Sequence, residues 1–153
     1  NAHGGQIGLL EAAARQLRME CPSMAVLPCF IWRGVPCLED LLPKNELEGG
    51  LHAGLAETSL MLSMASQLVG SELVVDGDHL SGDSLATPPK GWSLEGDLPC
   101  AWLTEDLSES GVIGDSRGAN SSLGDLLNKA LIDHWVNLLS SLMDSKWPPC
   151  KGN

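Results

Sequence analysis

Two histidines and a glutamate lie in glycine-rich stretches, and these residue types together can bind a metal ion, polarise water and move a proton. His3 lies in Asn1-Ala2-His3-Gly4-Gly5-Gln6 and His52 in Gly49-Gly50-Leu51-His52-Ala53-Gly54; Glu57 follows five residues after His52. Each stretch leads into an apolar segment of helical spacing. Glycines let the backbone turn tightly, and the helix that follows presents free N–H groups and the positive end of its dipole. A histidine on such a turn can reach a metal, and a glutamate in the first helical turn can orient or deprotonate a neighbour. Taken alone, His3 also reads as a histidine bonding its own loop, and His52 with Glu57 as an ordinary helix start.

Other chemistry-bearing residues read more simply. His79 follows Asp76-Gly77-Asp78, but an EF-hand loop needs further oxygen ligands, so this is a solvated loop. His134, between Asp133 and Trp135, reads as a packing or subunit-contact residue. Trp32, Trp92 and Trp102 are core or pocket-wall residues, and Trp32 ends an apolar run where a pocket wall would stand. Cys21, Cys29, Cys37, Cys100 and Cys150 form no CxxC pair and are odd in number, which suits thiols of a reducing cytoplasm better than a disulfide framework. No G-x-S-x-G, Walker loop, H-E-x-x-H or dinucleotide fingerprint occurs. Metal-activated water is then the simplest hydrolytic route open to these residues.

The elements that must hold these groups follow from periodicity. A helix is expected from about residue 6 to 21, with Leu9, Leu10, Ala13, Leu17 and Met19 as its stripe and Pro22 as its stop. The unbroken run Ala25–Trp32 suggests a strand buried on both faces, with Pro28 marking a bulge or an edge. Residues 34–50 read as loop. A second helix is expected over 54–69, short strands over 73–75 and 99–104, and a turn over 111–117. A long last helix should run from about 121 to 143, capped by Asn120, Ser121 or Ser122. Glycine turn, helix and buried strand in sequence point to an α/β layer architecture.

Composition narrows the partners. Nine Lys and Arg stand against twenty Asp and Glu, with no basic stripe, so neither nucleic acid nor an anionic membrane surface is an expected partner. No apolar stretch reaches the roughly 18–20 residues needed to span a bilayer.

Three motifs carry a family resemblance. Asn1-Ala2-His3-Gly4-Gly5-Gln6 resembles the Asn-Gly-His-Gly-Gly-Asn segment of the creatininase (creatinine amidohydrolase) family. His52-Ala-Gly-x-x-Glu57-Thr-Ser-Leu-Met-Leu resembles its second signature. Ser110-Gly-Val-Ile-Gly-Asp-Ser-Arg117, ahead of the helix bearing Gly124, resembles its Gly-x-x-Gly-Asp-Pro, with Ser116 for proline. The resemblance implies a three-layer α/β/α domain around a mostly parallel sheet, here one domain over 1–153 with its opening strands and further metal ligands upstream of Asn1. It implies one or two divalent ions (Zn, Mn or Fe) activating water against a cyclic or linear non-peptide amide, and a homo-oligomer, commonly a hexamer. By it, His3 is a metal ligand, His52 contacts substrate and transfers a proton, and Glu57 is its acidic partner; Trp32, from its place at the end of the apolar run, is a candidate substrate wall. His3, His52 and Glu57 are expected to converge on one cavity, and these residues without the upstream ligands are expected to be inactive. Gly5 stands where creatininase itself has a metal-binding glutamate, and Leu55 where many branches have glutamate. Those two departures motivate an alternative, an inactive member serving assembly or small-molecule binding.

Overall fold

A computed structural model describes residues 1–77 and 87–149. They group into two compact units, one of residues 1–37 with 129–153 and one of residues 38–128. The expected metal-like stretch at His79 lies outside the described residues.

In the first unit, helix α1 spans Ile7–Glu20. It ends where expected: the amide of Cys21 closes onto Leu17 O at 2.8 Å, and Pro22 follows. The Arg18 guanidinium turns back to the carbonyls of Pro22 and Met24, satisfying acceptors that the helix itself cannot reach. The expected apolar stripe is not a buried one. Ala14 is buried, whereas Leu9 is 74% exposed and Leu17 and Met19 are also exposed. The Ala25–Trp32 run is corrected too: it makes no ladder among the described residues. Residues 25–30 lack regular structure, and 31–34 form a turn. A strand exists only through its partner, and here the run meets a different one: Ile31 N donates to Asn1 O at 2.9 Å. The second anchor of this turn is Trp135, whose indole N–H donates to Ile31 O at 2.8 Å.

The second unit is built on α4, Leu55–Ala65, which continues as a 3₁₀ turn over Ser66–Leu68. Two short helices precede it within the segment expected to be loop, α2 at Leu38–Leu41 and α3 at Lys44–Gly49. The strands β1 (Val75–Asp76) and β2 (Gly114–Asp115) pair antiparallel, Val75 opposite Asp115, and His52 adds an isolated antiparallel bridge to Ile113. A mostly parallel sheet in three layers is not found among the described residues, of which about half are helical and whose one sheet has two strands. The expected strand at 99–104 is instead a single bridge, Ser93 to Pro99, followed by α5 at Thr104–Leu107. Trp102 is held there by its indole N–H to Leu94 O, 2.9 Å. No helix among the described residues is long and apolar enough to cross a membrane.

The core of this unit comprises Leu42, Ala56, Leu60, Ile113 and Leu127, with the hydroxyl of Ser59 buried among them. Helix α6 runs Ser121–Met143, as the periodicity predicts. Asn120 is its cap, Oδ1 accepting from Leu123 N at 2.9 Å, while Asn120 N donates to Ser59 Oγ at 3.2 Å. Close approach makes this joint possible. A Cβ on Gly124 would lie 2.0 Å from Ser59 O, a backbone atom that cannot swing away. Gly8 in α1 has nothing within 4 Å of its own absent Cβ. Gly124→Ala is therefore expected to lower unfolding stability by ~1–3 kcal/mol or more. Gly8→Ala should leave it unchanged or raise it by up to ~1 kcal/mol. Urea midpoints of the two variants against the parent chain check this pair.

Candidate functional site

His52 is fixed through its backbone before its side chain is considered. Ile113, fully buried, donates its N–H to His52 O at 2.8 Å and accepts from Leu51 N at 2.9 Å and His52 N at 3.3 Å. The next residue, Ala53, sits at φ +50°, a left-handed conformation that costs a non-glycine residue on the order of 1 kcal/mol. Two hydrogen bonds hold it there. Ala53 N donates to Glu57 Oε2 at 2.6 Å, and Thr58 Oγ1 donates to Ala53 O at 2.9 Å. The chain then turns at Gly54 into α4, so Glu57 in the first turn reaches back over the loop that carries His52.

This brings two of the expected residues together. His52 Nδ1 stands 3.9 Å from Glu57 Oε2, with both side chains about one-third exposed. The separation is too long for a direct hydrogen bond and short enough for electrostatic coupling.

A second acid, which the periodicity places in a loop, lies close to this turn. Glu46 on α3 is 8% exposed. Its Oε1 accepts the amide of Ala56 at 2.8 Å, and its carboxylate also takes the amide of Leu55, so it caps α4 from ten residues upstream. Burial pushes its proton affinity up. Those two amides oppose the rise, and the nearby charges of Glu57 and Asp115 add to it. The signal for it in the chain was the glycine cluster Gly49-Gly50 and Gly54 just after Glu46, which periodicity does not weigh.

Two aspartates complete the electrostatics of this unit. Asp115, in the Gly-Asp of the third motif, receives both Nε and Nη2 of Arg117, at 2.9 and 2.8 Å, which pull its carboxyl down to about 2. Asp76 gathers the amide and hydroxyl of Ser110, the hydroxyl of Ser108 and the amide of Gly77, all stabilising its charged form well below the usual carboxylate range. Asp76 thereby ties β1 to the loop leading into β2.

His3 and Trp32 belong to the other unit. The Asn1 side chain brackets His3, its Nδ2 donating to His3 O at 2.7 Å and its Oδ1 accepting from His3 N at 3.2 Å. The imidazole lies over Gly5: a Cβ there would sit 3.0 Å from His3 Nε2. Trp32 donates its indole N–H to Ala2 O at 3.1 Å, so this tryptophan braces the His3 loop. Among the described residues no three of His, Cys, Asp and Glu gather closely enough to hold a metal ion. The donors present thus do not by themselves fit a metal centre.

The carboxylates set a pH dependence with opposite signs. The raised affinity of Glu46 means that the folded chain holds its proton more tightly, so this group costs stability as pH rises past the ordinary carboxylate range. Asp76 and Asp115 are depressed, and their contribution, full above that range, is lost as pH falls toward their folded values. Relative to Glu46→Gln, the parent chain should gain stability as the pH is lowered from neutral. Relative to Asp76→Asn, it should lose stability at the acidic end. Urea unfolding of the three proteins across the acid range reads both signs.

No curated protein and no solved structure matches the chain. The creatininase family, described as creatinine amidohydrolase, matches residues 1–139. That span takes in the His3 loop, the His52–Glu57 turn and the Gly114–Asp115 strand, and the chain belongs to the creatininase family of α/β amidohydrolases.

Proposed function

We propose that the protein hydrolyses a non-peptide amide C–N bond, cyclic or linear, and that His52 and Glu57 are its proton-transfer pair. The single observation that carries this is their geometry on the family's own motif: an imidazole nitrogen 3.9 Å from a carboxylate that the Ala53 amide anchors at 2.6 Å. In this reading Glu57 stabilises the positive charge that the His52 ring takes up. His52 passes a proton to the departing nitrogen. Trp32 forms a wall against the substrate and His3 binds a divalent metal.

The metal, one or two ions of Zn, Mn or Fe, is inferred from family membership; when bound, it would polarise the amide carbonyl and activate water. His3 offers one imidazole for it. The other donors are not assembled among the described residues, so the steps above are written for this chain's own groups. A homo-oligomeric, commonly hexameric assembly and a cytoplasmic location are parts of the same proposal.

A second reading, an inactive family member that binds a small molecule or serves assembly, is favoured by Gly5 and Leu55 and by the way the His3 ring occupies the space over Gly5. Hydrolysis of a panel of cyclic and linear amides by the protein purified from its natural source separates the two. His52→Ala is expected to lower kcat/KM by ~10²–10⁴ and Glu57→Gln by about tenfold or more. Activity untouched by His52→Ala would remove this residue from the chemistry, and no hydrolysis of any amide would favour the second reading.

A further inference from the structure

We propose that Glu46 is a positioning residue for the His52–Glu57 pair, acting through the backbone turn that its buried carboxylate pins. The proposal rests on reading that pair as the working one.

Most helix caps are local: a Ser, Thr, Asp or Asn at the first position bonds an amide two or three residues on. At α4 that position is Gly54, which has no side chain to offer. The cap comes from another helix instead. A local cap would fix only the end of α4, whereas Glu46 fixes that end against α3 and the strand beside it. The space for it is made by absent side chains. A Cβ on Gly50 would lie 2.5 Å from Glu46 Oε2, one on Gly54 would lie 2.8 Å from both carboxylate oxygens, and one on Gly114 would lie 3.6 Å from Oε2. Gly50 and Gly54 bracket His52, and Gly114 precedes Asp115. The carboxylate therefore touches the turn on both sides of the histidine and the strand that bridges to it.

The consequence reaches Glu57. Its carboxylate is held by the amide of Ala53, inside the turn, and its backbone starts in the helical turn that Glu46 caps through Ala56. If that cap loosens, Ala53 can relax from its positive φ, and the carboxylate loses the amide that aims it at His52. Glu46 touches neither ring nor substrate; it acts through the main chain.

The experiment is a double-substitution cycle read by NMR on the full chain. The ring ¹⁵N shifts of His52 are recorded with and without Glu57→Gln, first in the parent and then in Glu46→Asp and Glu46→Gln backgrounds. Glu46→Asp is one methylene short of Ala56 N. It is expected to cut the response of His52 to Glu57→Gln by about half or more. Glu46→Gln keeps a carbonyl acceptor in the same place and should keep most of that response. An undiminished response in Glu46→Asp overturns the proposal. So does loss of fold in either variant, which would make Glu46 a structural residue alone. None of these readouts needs turnover, so an absence of amidase activity would refute the functional reading while leaving this coupling measurable.

Discussion

A carboxylate taken out of water is costly unless it is met by hydrogen bonds, and the unit of residues 38–128 is arranged around one such group. Glu46 is met by two backbone amides of α4 and enclosed by Gly50, Gly54 and Gly114. Its charge faces the positive end of the α4 dipole, which is where a buried anion is best placed. The acids around it work the other way. Glu57 and Asp115 both oppose its ionisation, and Arg117 holds Asp115 in its charged form beside them.

Around this group the backbone does most of the positioning. Ile113 grips His52 by both its N–H and its C=O, and β2 continues directly from Ile113 into pairing with β1. Asp76 at the end of β1 then gathers Ser108 and Ser110 and closes the loop. A short antiparallel ribbon, too small to stand alone, is thus secured by side-chain oxygens rather than by a wide ladder. Gly124 brings α6 against Ser59 of α4 in the same spirit, with a missing Cβ allowing backbone to approach backbone. Family membership points to amidohydrolase chemistry, and His52 and Glu57 stand 3.9 Å apart on one of the family's motifs.

Helices were legible in the residues to a useful degree. The 121–143 helix and its Asn120 cap, the 7–20 helix and its stop before Pro22, and the helix opening after Gly54 all follow from spacing and capping chemistry that act within a few residues. Strands were not. Ala25–Trp32 carries the composition of a buried strand, yet a strand's hydrogen bonds belong to a partner elsewhere in the chain, and here Ile31 meets the Asn1 carbonyl and the Trp135 indole instead of a ladder. The segment 99–104 differs for the same reason, its residues serving a bridge and then the start of α5. Burial was equally out of reach: Leu9 and Met19 sit in a helical stripe and remain exposed, because a stripe records what can be covered and not what covers it.

What the residues determined by themselves was the family, since motif order and spacing along the chain are one-dimensional facts. They also determined that Glu57 would open a helix beside His52, because five residues and a glycine turn leave little freedom. Only the tertiary structure decided that Glu46, ten residues before the amide it caps, would be buried under that turn. Its role depends on a helix end, three absent side chains and a strand from residue 114 meeting at one point, and no local rule relates residues that distant.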